Sequence, residues 1–169
     1  MIHWLIFNPI VATVFYGSLL GVMLWLVWRS ASVVLLEIGC WVAVAWIGDS
    51  ISYYALGRMD EPYANIVFDT IAAVMVFFIA IRCRSRIARW TFWTFMLAML
   101  GTGLGFYFHA IGSWLYQPPL SVIFVSRLFI LGGAACRVLD WWPDPVSRIF
   151  SDPAVSRPGD RARISKTRR

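Results

Sequence analysis

Apolar residues run almost unbroken for about 20 positions at a time along this chain, and short polar punctuation separates the runs. Five such runs are evident, at about 9 to 28, 33 to 57, 62 to 82, 90 to 116 and 119 to 139. At a rise of about 1.5 Å per residue, each is long enough to cross a hydrocarbon core of about 30 Å. The pattern therefore predicts five transmembrane helices and an all-α fold. The breaks between them are Arg29 to Ser32, Arg58 to Pro62, the basic run Arg82 to Arg89, and Gln117-Pro118-Pro119. Loops this short predict antiparallel neighbours packed as one bundle, so residues 1–142 form a single transmembrane domain.

Composition excludes a water-soluble reading. Of 169 residues, 60% are hydrophobic and 14% charged, with a mean hydropathy of +0.69. A soluble domain of this size could not cover its surface with so few polar side chains. The first run lacks the basic flank and the small-residue cleavage site of a secretory signal, so a retained helix is expected.

Charge then orients the bundle. With the N-terminus outside, the inner side receives Arg29, Arg82, Arg84, Arg86, Arg89, Arg137 and seven basic residues from Arg148 to Arg169, which is thirteen of the fifteen. Arg58 falls outside and Arg127 within a span. The excess of arginine in cytoplasmic segments predicts N-terminus outside and C-terminus inside. Aromatic belts agree, with Trp25, Trp28, Trp90, Trp93, Trp141 and Trp142 at the inner boundary and Trp4, Tyr53, Tyr54, Tyr63, Trp114 and Tyr116 at the outer one. Cys40, Cys83 and Cys136 have no metal-ligand spacing and read as free thiols.

Residues 143–169 change character. Four prolines and seven basic against three acidic residues give a stretch with too little apolar surface to fold alone. A disordered basic cytoplasmic tail is expected. Anionic lipid headgroups are the expected partners of Arg82, Arg84, Arg86, Arg89 and this tail; a membrane-protein partner or a second copy is open, and nucleic acid is not expected.

Ionisable residues inside four of the spans are the candidate chemistry. Asp49 lies about 12 Å from the outer end of its span, Asp69 about 10 Å, His109 about 10 Å and Arg127 about 12 Å. A charged side chain facing lipid costs about 2.5 to 3.5 kcal/mol, so the four are expected to meet in one polar layer, with Arg127 or His109 the partner of Asp49. Ser52 and Tyr53 share a helical face with Asp49, and Asn65 shares one with Asp69. Two carboxylates against one guanidinium leave a charge of minus one, which a proton or a cation can neutralise.

Small residues suggest packing seams. Gly17 and Gly21 form one GxxxG and Gly101 and Gly105 another, expected within the monomer. Trp90, Phe92, Trp93 and Phe95 are expected to face lipid. Glu37 is expected to pair with Arg29 or a loop arginine, and Arg137 with Asp140.

No GxSxG, HExxH, P-loop or paired-cysteine motif is present. No cofactor is expected, and no metal, since His3 and His109 lack ligand spacing. The expected function is a small non-enzymatic accessory, scaffold or complex subunit of a bacterial or phage-encoded inner membrane. The alternative is a small transporter or channel for a proton, cation or polar solute, a holin-like pore included, using the same polar cluster.

Overall fold

The computed structural model describes residues 9–56, 61–107, 117–141, 149, 150, 152 and 155. Five helices account for most of them: α1 Pro9–Arg29, α2 Val33–Leu56, α3 Glu61–Cys83, α4 Arg86–Tyr107 and α5 Gln117–Val138. No strand occurs among the described residues. Four helices are long and apolar enough to span a membrane, over Ile10–Arg29, Val33–Ser52, Asn65–Cys83 and Ser121–Val138. These mark a membrane protein. In α4, Trp, Thr and Gly interrupt the apolar run, and its first turn carries Arg86 and Arg89.

The helices end where local chemistry tells them to. Helices α1, α3 and α5 each carry an arginine in the last turn, Arg29, Arg82 and Arg137, opposite the negative end of the helix dipole. Each is followed by a left-handed residue, Ala31 (φ 52°), Arg84 (φ 51°) and Asp140 (φ 56°). After α5 the Asp140 amide donates to the Arg137 carbonyl at 3.1 Å and the Trp141 amide to the Cys136 carbonyl at 3.0 Å. That pair of bonds is the Schellman termination, here without glycine. Serine then starts the next helix: the Ser32 carbonyl accepts from the Leu36 amide at 3.0 Å, and Ser85 opens α4.

Helices packed against one another are α1 with α2 and α5, α2 with α3 and α5, α3 with α4, and α4 with α5. The ring of neighbours closes, and its centre is filled by Val27, Leu35, Ile38, Val42, Val76, Phe95 and Leu131, all 0% exposed. On the outside, Val14, Val22, Ile51, Phe78, Leu97 and Phe129 are exposed apolar side chains of the kind a bilayer solvates. Two glycines allow close approaches between neighbouring helices. A Cβ on Gly48 would sit 2.5 Å from the Phe68 ring, and one on Gly17 2.9 Å from Trp46.

Contacts bring the arginine-bearing ends together. Trp25 of α1 and Trp141 beyond α5 lie 6.4 Å apart between ring centroids. Glu37 in the first turns of α2 pairs with Arg82 at the end of α3, and Arg137 with Asp140 at 3.1 Å. Both pairings match the sequence reading, and the three cysteines are free thiols.

Four residues beyond 142 are described, and three of them are buried at this end. Phe150, Asp152 and Val155 belong to the stretch expected to be disordered, yet they are 5%, 8% and 2% exposed. Phe150 lies edge-on to Phe129 at 5.7 Å, in a space left by Gly133, where a Cβ would come within 2.7 Å of its ring. The Asp152 carboxylate accepts from the Ser85 hydroxyl at 2.6 Å and the Ile87 amide at 3.0 Å. The Ser85 hydroxyl oxygen in turn accepts from the Ala88 amide at 3.1 Å. Helix α4 is thus capped twice, by its own serine and by a carboxylate from the far end of the chain. Two apolar side chains and one capping carboxylate hold these three residues against the bundle, which average composition does not reveal.

Candidate functional site

Arg127 on α5 is the hub of the polar layer. It follows the outward-facing Val125 and Ser126 and falls on the inward row with Leu128, Leu131 and Ala134, so the helix carries its charge into the protein. One guanidinium nitrogen donates to Asp69 on α3 at 3.2 Å, and another to the Thr94 carbonyl on α4 at 3.2 Å. The guanidinium carbon stands 3.8 Å from the Phe95 ring centroid, a cation–π contact. A single side chain therefore ties three helices together. Arg127 and Asp69 are only 4% and 6% exposed.

The sequence reading makes Asp49 a direct partner of Arg127 or His109. The carboxylate that hydrogen-bonds Arg127 is that of Asp69, and Asp49 lies half-buried on α2, a fourth helix. Ser52 is buried one turn from Asp49 and donates back to the Gly48 carbonyl at 2.8 Å, so its hydroxyl serves its own helix. Asn65 is half-buried one turn before Asp69, and its carbonyl oxygen is enclosed without a hydrogen-bond partner among the described residues. His109, His3 and the Tyr53 side chain lie outside the described residues.

Phe95 is a correction. The sequence reading turns it to lipid together with Trp90, Phe92 and Trp93. Trp90 and Trp93 are 38% and 60% exposed, but Phe95 is fully buried. It shares the α4 face of Ala88, Thr91, Ala98 and Thr102, whose small side chains leave room for one large ring. That row of small and hydroxylic residues at helical spacing was the available signal.

The packing glycines also differ in part from expectation. Gly17 packs within the monomer against Trp46, Gly101 is half-buried, and Gly21 has open space where a Cβ would stand. Gly48 and Gly133, which belong to neither GxxxG, make closer contacts. The Gly105 environment lies outside the described side chains. Arg82, Arg84, Arg86 and Arg89 are exposed at the arginine-bearing end.

A cavity of about 510 Å³ opens between α1 and α5, lined by Tyr16, Val122, Val125 and Phe129 among others. It is apolar and shares no residue with the Arg127 cluster. No family model, curated protein or solved structure matches the chain.

Proposed function

We propose that the chain is a small multi-pass protein of the bacterial inner membrane, with five spans in one antiparallel bundle, N-terminus outside and C-terminus inside. Its role is that of a non-enzymatic accessory, scaffold or complex subunit. The observation that carries this reading is the way Arg127 is seated, with its two terminal nitrogens bonded and its Nε alone enclosed without a hydrogen-bond partner among the described residues. A guanidinium bonded to a carboxylate and a carbonyl, and covered by an aromatic ring, is a compact staple between helices. A conduction path needs polar groups open to water along its length. The exposed arginines at one end support anionic headgroups as the contact surface on the cytoplasmic side.

A second reading, a small transporter or channel, draws on Asn65. Its enclosed carbonyl oxygen, one turn from Asp69, is an acceptor available to a cation or small polar solute. One experiment separates the two. Wild type and Asp69→Asn are expressed in bacteria, with a membrane-potential dye, cell viability and membrane abundance followed together. A staple predicts no depolarisation by wild type and loss of abundance in the variant. Depolarisation by wild type that vanishes in an equally abundant variant overturns it. Cysteine accessibility at positions 58 and 118 against 84 tests the orientation, since labelling of 84 from outside reverses it.

A further inference from the structure

Two separate fastenings act on the same pair of helices. The first is Arg127 of α5, which reaches the Thr94 carbonyl and the Phe95 ring of α4. The second is the docked segment, whose Phe150 fills the space at Gly133 of α5 while Asp152 caps the first turn of α4 through Ser85 and Ile87. Along α5, Arg127 and Gly133 are six residues, or about 9 Å, apart; along α4, Ile87 and Thr94 are seven residues, or about 10.5 Å, apart. Both fastenings require the same α4–α5 spacing.

We propose that Phe150, Asp152 and Val155 form a releasable strap whose docking is coupled to closure of the Arg127 cluster. The strap is the part that can let go. Its described contacts include hydrogen bonds from Ser85 and Ile87 of α4 and the buried side chains of Phe150 and Val155, and its own backbone is closed by a turn in which the Val155 amide donates to the Asp152 carbonyl at 3.0 Å. Its release moves no helix out of the membrane, so it belongs to the low-energy end of local opening. When Phe150 leaves Gly133 and Asp152 leaves Ser85, α4 and α5 keep only their shared core at that end, around Ile87, Ala88, Leu131 and Ala134, and the Arg127 bond to Thr94 bears more of the spacing. Linkage makes the effect reciprocal: loosening the cluster loosens the strap by the same factor. A binder that holds the strap undocked therefore destabilises a polar layer it never touches.

Trypsin reads the strap directly in the full-length protein in detergent. Cleavage after Arg148 requires Ile149 and Phe150 to extend into the protease, so it reports undocking; cleavage after Arg161, which precedes Ala162, serves as the reference, since trypsin does not cut the Arg157–Pro158 bond. Wild type is expected to be cut more slowly after Arg148 than after Arg161, and Phe150→Ala to remove the difference. The coupling predicts that Asp69→Asn, or the milder Phe95→Leu, accelerates cleavage after Arg148 by about fivefold or more, the usual range for coupled sites. In a chain whose native cysteines are replaced by serine, Leu128→Cys beside Arg127 is expected to react faster with maleimide when Phe150→Ala is added. Equal wild-type cleavage at the two sites would overturn the strap. Unchanged cleavage after Arg148 in folded Phe95→Leu and Asp69→Asn proteins would overturn the coupling.

Discussion

Arg127 and Asp69, 58 positions apart in the chain, meet at 3.2 Å with 5% and 8% of their side chains exposed. Neither charge has water to fall back on. Removing one partner strands the other, which for buried pairs costs about 3 to 5 kcal/mol, whereas replacing both by apolar groups of similar volume is often neutral or better. Asp69→Ala is therefore expected to lower unfolding stability in detergent by about 3 kcal/mol. The double variant Asp69→Leu, Arg127→Met is expected to recover most of that loss. A thermal melt of the two proteins side by side checks it, and a double variant as unstable as the single one would count against a staple.

The residues differ in how far sequence alone exposes them. The runs that became α1, α2, α3 and α5 were plain, because a bilayer demands about 20 apolar positions and leaves little room for other patterns. The depth of Asp69 and Arg127 was also readable, since helical rise converts residue number into distance. Which carboxylate receives the guanidinium was not, because depth places a group along a helix and says nothing of its rotation about the bundle. Phe95 was hidden for another reason: in a membrane, large aromatic side chains suit lipid and core alike, so hydrophobicity carries no inside-or-outside signal. Phe150 and Asp152 were lost in the average of a proline-rich, basic stretch.

Capping of α4 yields a graded prediction. Ser85 satisfies the Ala88 amide, and Asp152 satisfies the Ile87 amide and the Ser85 hydroxyl. Asp152→Ala removes a charged acceptor from a buried helix start and is expected to cost about 1 to 2 kcal/mol. Asp152→Asn keeps an oxygen acceptor but not the charge opposite the helix dipole, so its loss should be smaller. The order wild type, Asn, Ala in melting temperature is the measurement.

Left-handed Ala31 offers a change in the opposite direction. Its φ of 52° sets the Cβ against its own backbone in the turn between α1 and α2. That conformation costs about 1 kcal/mol for an L-residue and is free to glycine. Glycine also gains freedom in the unfolded chain, which offsets part of the relief. Ala31→Gly is expected to leave stability unchanged or to raise it by up to about 0.5 kcal/mol, a small rise in melting temperature where most turn substitutions lower it.

Gly48 and Gly21 are both helical glycines in apolar surroundings, and they should answer alanine in opposite ways. At Gly48 the added methyl would start 2.5 Å from the Phe68 ring, well inside contact distance, and the ring is wedged between α2 and α3. Gly48→Ala is expected to destabilise by about 1 to 3 kcal/mol, the usual range for overpacking. At Gly21 nothing lies within 4 Å of the new methyl, so the only change within the monomer is helix propensity, which favours alanine by about 0.8 kcal/mol. Gly21→Ala should therefore match or exceed wild type in a melt. If it instead lowers stability at high protein concentration and not on dilution, the open face at Gly21 is covered by a second copy, and the α1 GxxxG acts between molecules.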